Sequence, residues 1–182
     1  MRWKSCGSGA TAALCLFLCA ATTSGCLLLP DHHPSTEDVR GVAFLFAKGD
    51  RDMELRRYDE AAAAFQEASG RARRASLAKD ERQTEWQEVS NSAQLQFAIA
   101  HEKAGNYEYA ANVITWVISE ADHPLKALAQ LKRGGYLVKL GRIEDAKDEF
   151  RRVILDGQSP QYHDKIPAWL LKAAQEDFDR LK

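Results

Sequence analysis

Few side chains in this chain have the type and spacing that chemistry needs, and most of them stop short of a site. His101-Glu102 would open a helical zinc site, in which a second imidazole four residues after the first closes the metal pair on one helix face and the glutamate serves as general base; position 105 is Gly instead. His101 therefore reads as a packing residue. His32-His33, set between Pro30 and Pro34, reads as a pair of exposed linker residues. Glu144-Asp145 falls at a helix start, where acids favour the helix dipole. The sequence has neither a phosphate-binding glycine loop nor a serine-histidine-acid pattern. No catalytic residue, metal ligand or cofactor is expected. Cys26 is the exception. The four cysteines are Cys6, Cys15, Cys19 and Cys26, so Leu27 to Lys182 offers no disulfide and no thiolate metal site. A thiol placed there could still carry a covalent attachment.

The residues before Cys26 say which attachment. Arg2 and Lys4 give a basic start, Ala10 to Ala21 an apolar stretch, and Thr23-Ser24-Gly25 a run of small residues up to the cysteine. This resembles a bacterial lipoprotein signal peptide, with Thr23 where that family usually has leucine. The resemblance implies cleavage before Cys26, acylation of its thiol, and a mature chain that begins there. Two alternatives stay open: a plain secretory signal cut near Ala20 or Ala21, and an uncleaved span. The span would need about 20 apolar residues, and this stretch is shorter. The organisation expected is a signal peptide over 1–25, a lipidated cysteine and tether over 26–35, and one folded domain over 36–182.

Charge narrows the partners. Arg2 and Lys4 account for two of the 25 basic residues, which leaves 23 against 26 acidic ones beyond residue 25. A slightly acidic domain lacks the positive field that bulk nucleic-acid binding requires, so no nucleic-acid partner is expected. Arg71, Arg73, Arg74, Lys79 and Arg82 cluster locally, but with Asp80 and Glu81 among them they read as a solvated helix face.

From Ser35 onward the chain is rich in Ala, Leu, Glu, Lys and Arg, with apolar residues at helical spacing. It also repeats itself. Gly105-Asn106-Tyr107-Glu108-Tyr109-Ala110 matches Gly141-Arg142-Ile143-Glu144-Asp145-Ala146, and Arg56-Arg57-Tyr58-Asp59-Glu60-Ala61 is a third copy with Arg in place of Gly. Four residues after each alanine stands a large apolar residue, Phe65, Ile114 or Phe150, followed three later by Ala68, Val117 or Val153. Seven residues before each turn stands a small one, Gly49, Ala98 or Gly134. A turn glycine lets the chain leave a helix in the left-handed conformation, small residues let antiparallel helices approach, and large ones fill the space between. Each copy is a helix-turn-helix unit.

The pattern resembles the tetratricopeptide repeat over roughly residues 42 to 160. An all-α array of about three such repeats with a C-terminal capping helix is therefore expected. In copy one Asp52 stands where an apolar residue is usual. Ala110 to Ala146 is 36 residues, but Ala61 to Ala110 is 49, and the proline that ends copies two and three, Pro124 and Pro160, is replaced by Ala75 in copy one. The spacing predicts that the second helix of repeat one and the first of repeat two each run about two turns longer, with a break at Gly70 as the alternative. Ser35-Thr36-Glu37-Asp38 reads as a helix start. Pro167 opens a last helix striped by Leu170, Leu171, Ala174, Phe178 and Leu181, with Trp169 expected to complete the cap and Trp116 expected in the core.

The resemblance implies a groove lined by the first helix of each repeat that binds peptides or proteins. The residues expected to line it are Phe46, Asp50, Met53, Leu95, Ile99, Glu102, Leu131, Lys132, Val138 and Lys139. The positions of the family's carboxylate clamp hold Phe46, Asp50, Gln96, Leu128 and Lys132, so that clamp is not assembled. With its leader and its repeats, the chain resembles the small repeat lipoproteins of the bacterial envelope. That resemblance implies a non-enzymatic scaffold or assembly factor, anchored to the membrane through its lipid, with an envelope protein or peptide segment as partner. Leu27 after the cysteine, in place of the aspartate linked to inner-membrane retention, implies the periplasmic face of the outer membrane. A pilotin-like chaperone for secretin or pilus assembly, or an envelope hydrolase with an unrecognised site, is the alternative.

Overall fold

The computed structural model describes residues 36–77, 82–122 and 124–182. Cys26 with the segment before it, the tether, His32, His33 and Lys79 lie outside the described residues. Seven α-helices occur among those described: α1 (Thr36–Glu54), α2 (Tyr58–Ser76), α3 (Gln83–Lys103), α4 (Tyr107–Glu120), α5 (Leu125–Lys139), α6 (Ile143–Gln158) and α7 (Ala168–Arg180), with a 3-10 turn at His163–Lys165 before the last. Each helix packs on its successor in the chain, and α5 also reaches back to α3 and forward to α7. The result is three helical hairpins, α1–α2, α3–α4 and α5–α6, stacked in chain order and closed by α7. This is the all-α, tetratricopeptide-like array that the repeat predicts. No described helix is long and apolar enough to cross a membrane.

The hairpin turns are built alike. Arg56, Gly105 and Gly141 have φ of 58°, 83° and 74°, the left-handed conformation. In each turn the amide one residue later donates back to the last helical turn, Arg57 N to Asp52 O at 2.8 Å, Asn106 N to His101 O at 2.8 Å and Arg142 N to Leu137 O at 2.9 Å. The left-handed residue's own amide adds a second bond, such as Gly105 N to Glu102 O at 3.0 Å. Carbonyls that a helix end would otherwise leave unpaired are thereby satisfied.

Inside each hairpin a small residue faces a large one. A Cβ added at Gly49 would lie 2.6 Å from the Phe65 ring, and one at Gly134 would overlap the ring of Phe150. Hairpin two places Ala98 and Ile114 at the same two positions, one methyl gained on one side and a smaller side chain on the other. Phe65, Ile114, Phe150, Val117 and Val153 are all buried, as are Ala61, Ala110 and Ala146. Each large side chain removed from water stabilises the array by about 1.5–3 kcal/mol.

The extra residues between hairpins one and two lengthen both helices there. α3 has 21 residues against 15 in α5, close to the two turns expected, and α2 has 19 against 14 in α4 and 16 in α6, nearer to one. α2 runs through Gly70 without a break. Asp52, the polar residue of copy one, is buried but paired with Arg57 and with Lys48, the latter at 3.3 Å. At the far end Leu170 and Ala174 are buried, and Leu171, Phe178 and Leu181 pack on the clusters of α5 and α6. Trp169 is 48% exposed and is not part of that cap. α7 starts right after Pro167, so the indole falls in its first turn, ahead of the buried stripe that begins at Leu170.

Candidate functional site

The residues expected on the groove separate into three sets. Phe46 and Leu95 are buried, Phe46 edge-on to Phe65 with ring centres 5.9 Å apart and Leu95 in the cluster around Ile114 and Val117, so both serve the core and present no groove surface. Their helices are enclosed on more sides than a two-helix unit suggests, because the hairpins stack and α2 packs on α3 as closely as each helix packs on its own partner. Met53, Ile99, Leu131 and Val138 are half-buried, with one side against the core. Asp50 and Lys139 are exposed.

Glu102 and Lys132 are brought together. Adjacent first helices α3 and α5 meet through the Glu102 carboxylate, which accepts a hydrogen bond from the Tyr136 hydroxyl at 3.1 Å and lies 3.5 Å from Lys132 Nζ. Tyr136 is four residues after Lys132 on α5, so both reach the same carboxylate. Burial first, and then the Glu102 charge and hydrogen bond, push the Tyr136 phenol far above its ordinary value, so it remains a donor at any physiological pH. Sequence reasoning missed Tyr136. Its signal was the helical spacing from Lys132, one turn along the same stripe. The Asp50 carboxyl on α1, though exposed at its outer side, is also pushed up, by partial loss of solvent and then by the neighbouring Glu54 charge.

His101 is held in an aromatic cluster. Its ring sits between Phe97 and Tyr109, at centre distances of 4.7 and 4.5 Å and nearly edge-on to Phe97. Its Nδ1 is buried with no hydrogen-bond partner, and burial lowers its pKa, opposed by the Asp59 charge. It occupies the register position of Leu137 in the next hairpin, which is a packing position. Among the described residues no three histidine, aspartate or glutamate side chains gather as metal ligands.

Trp116 departs from expectation. It is 55% exposed, with the Arg73 guanidinium carbon 4.9 Å over its ring. The physical reason is register: eleven residues after the turn residue, the other hairpins place the exposed Glu67 and Arg152. The apolar neighbours Ile114 and Val117 point inward, and Trp116 lies on the opposite side of α4.

Such an arrangement can hold a partner by side-chain contact along the α3–α5 surface. No curated protein matches the chain. Residues 95–163, from the middle of α3 to the 3-10 turn, match the family model described as tetratricopeptide repeat, so this part of the array is similar to a family whose domains generally bind other proteins.

Proposed function

We propose that this chain is a membrane-anchored, non-enzymatic scaffold or assembly factor of the bacterial cell envelope. In this reading residues 1–25 direct export, Cys26 carries the lipid at the periplasmic face of the outer membrane, and the helical array holds an envelope protein or peptide segment. The observation that carries the reading is the α3–α5 face, where Glu102 is fixed by Tyr136 and Lys132 one turn from the half-buried Ile99, within the segment that matches the repeat family. Fixed charge beside half-buried aliphatic surface suits an extended or helical segment bound by side-chain pockets. Leu27 to Ser35 spans at most about 30 Å, so the array would work close to the bilayer.

The test is affinity capture of the full-length chain from detergent-solubilised envelopes, with the intact mass of the bait, alongside Cys26→Ser and a Lys132→Glu/Lys139→Glu double variant. A defined envelope protein should co-purify with an acylated bait, be depleted by Cys26→Ser, and be lost with the charge reversal. An unacylated bait that brings down nothing would remove both the anchor and the adaptor role.

A further inference from the structure

The outer junction between hairpins one and two contains a cleft of ≈ 270 Å³ bounded by α2, α3 and α4. It arises where the sequence departs from its own repeat. Thirteen residues after the turn residue, hairpins two and three place Ile118 and Ile154, which pack on the core, whereas hairpin one has Ser69. Fourteen residues before the turn, α5 has the buried Ala127 and α3 has Asn91. Ser90 stands where α5 has Lys126, and the extra length of α3 adds Gln87 to the same wall. Ser69, Ser90 and Asn91 are 2%, 3% and 6% exposed, a buried polar floor where the next junction has Ile118, Lys126 and Ala127 and keeps one buried amide, Gln130, at the register of Gln94. A buried hydroxyl or amide adds less stability than the isoleucine it replaces. Departures of this kind from a chain's own packing rule are expected where a site has been built.

The floor is neutral and two-sided in its hydrogen bonding. Ser69 Oγ lies 3.2 Å from Ser90 Oγ and accepts from Gln94 Nε2 at 2.9 Å, and Gln87 Nε2 donates to Asn91 Oδ1 at 3.2 Å. Those bonds leave the Oε1 acceptors of Gln87 and Gln94 and the Nδ2 donor of Asn91 for a ligand. Arg73 spans the mouth from α2 to the Trp116 ring on α4, and Glu120 supplies the opposite charge, so the lining has no net sign. A simple ion finds no excess of countercharge here, and an apolar molecule would strand the buried Asn91 amide and the half-buried ones of Gln87 and Gln94. The volume is just below the about 300–1,000 Å³ of typical small-molecule sites, too small for a helix or strand. A sugar ring meets each condition: its hydroxyls donate and accept, and its C–H face can lie on an indole.

The geometry points to a saccharide-binding site in this cleft, with Gln87, Asn91 and Gln94 holding ring hydroxyls and Trp116 as the stacking platform that the exposed Arg73 vacates. The site is on the outer surface and is independent of the lipid anchor and of the α3–α5 face. The test is titration of the ¹⁵N-labelled full chain, in a detergent without a sugar headgroup, with N-acetylglucosamine and with maltose, using diglycine as the amide control. The Trp116 indole N–H and the side-chain amides of Gln87, Asn91 and Gln94 should shift and saturate with at least one of the two sugars and not with diglycine. Trp116→Ala removes an exposed ring and should weaken binding about tenfold. Ser69→Ile installs the residue type of the other two hairpins and should lose binding by filling the cleft; it also removes the hydroxyl that pairs with Ser90 and Gln94, so its folding is checked by the retained backbone amide spectrum. Three results would overturn the site: no saturable shift with either sugar, equal shifts with diglycine, or undiminished sugar binding in well-folded Ser69→Ile.

Discussion

Arg56 holds a left-handed backbone, φ 58°, at the position that the next two hairpins give to Gly105 and Gly141. Its turn still makes the same pair of backbone bonds, so the cost falls on the side chain's Cβ, about 1–2 kcal/mol. Glycine would relieve that cost but give back about 0.4–1 kcal/mol through the freer unfolded chain. Arg56→Gly should therefore raise unfolding stability by about 0.5–1 kcal/mol in urea, and Gly141→Ala, with open space around its Cβ but φ 74°, should lower it by about 1–2 kcal/mol. The pair Gly134 and Phe150 makes a sharper case, because Gly134→Ala adds helix propensity of about 1 kcal/mol yet drives a methyl into the ring, an overpacking of about 1–3 kcal/mol. Adding Phe150→Ile reproduces the Ala98–Ile114 combination of hairpin two, so the double variant should recover much of the loss; simple additivity in the mutant cycle would refute the size-matching account. His101 gives the pH dependence. Its folded pKa lies below the ordinary 6.5, so as pH falls through 6.5 the unfolded chain takes up the proton first and stability declines until the folded pKa is passed. His101→Leu, the residue at the equivalent position Leu137, should flatten the stability profile as pH falls through 6.5.

At the scale of elements, α7 covers the end of the stack. Its buried Leu170 and Ala174 lie against Val153 of α6 and Ala127 of α5, and Arg151 and Lys182 sit 5.6 and 5.2 Å from the Phe178 ring. Leu170→Ala should cost about 2–5 kcal/mol and should accelerate amide exchange first in α6 and α7, since a terminal repeat without its cap exposes a stacking face. These elements were legible because period, turn and volume all repeat: the buried positions Phe65, Ile114 and Phe150 fall at one register, and the chain declares that register three times. The extended α2 and α3 were legible from the spacing of Ala61 and Ala110, though its division between the helices was not, because a helix end is set by caps such as Leu77 and Arg82 that no repeat marks. Groove residues were read less well. Phe46 and Leu95 went into the core because helical phase within one hairpin does not say which sides the next hairpin covers, a property of the stack. Trp116 was misread through its apolar neighbours, when alignment with Glu67 and Arg152 marked the position as outward.

Across the whole molecule the core is a string of clusters, and single half-buried residues join them. Val113 packs on both the cluster of α1, α2 and α3 and the one centred on α4, Leu128 joins the latter to the cluster under α7, and Leu131 joins that to the cluster around Phe150. In a stacked array each unit contacts only its neighbours, so cooperativity is carried by these junctions, which here are packed as closely as the hairpin interiors. Replacing a junction residue should then act on the sharpness of unfolding as well as on its midpoint. Leu128→Ala should lower the urea m-value or split the transition into two, with α1 to α4 and α5 to α7 losing helical signal and amide protection at different denaturant concentrations. Val153→Ala, a buried change within the third hairpin and its α7 cap and away from the junction with α4, should lower the midpoint by the equivalent of about 1–3 kcal/mol and leave one transition with its slope intact. If Leu128→Ala and Val153→Ala both give single transitions with the parent slope, the three hairpins fold as one indivisible unit and the junction residues are ordinary core. A broadened or split curve for Leu128→Ala alone would locate the weakest coupling of the array between α4 and α5, just below the face where Glu102, Lys132 and Tyr136 tie α3 to α5. A partner seated on that face would bridge the two halves and restore a single transition, which makes the slope of unfolding itself a binding assay.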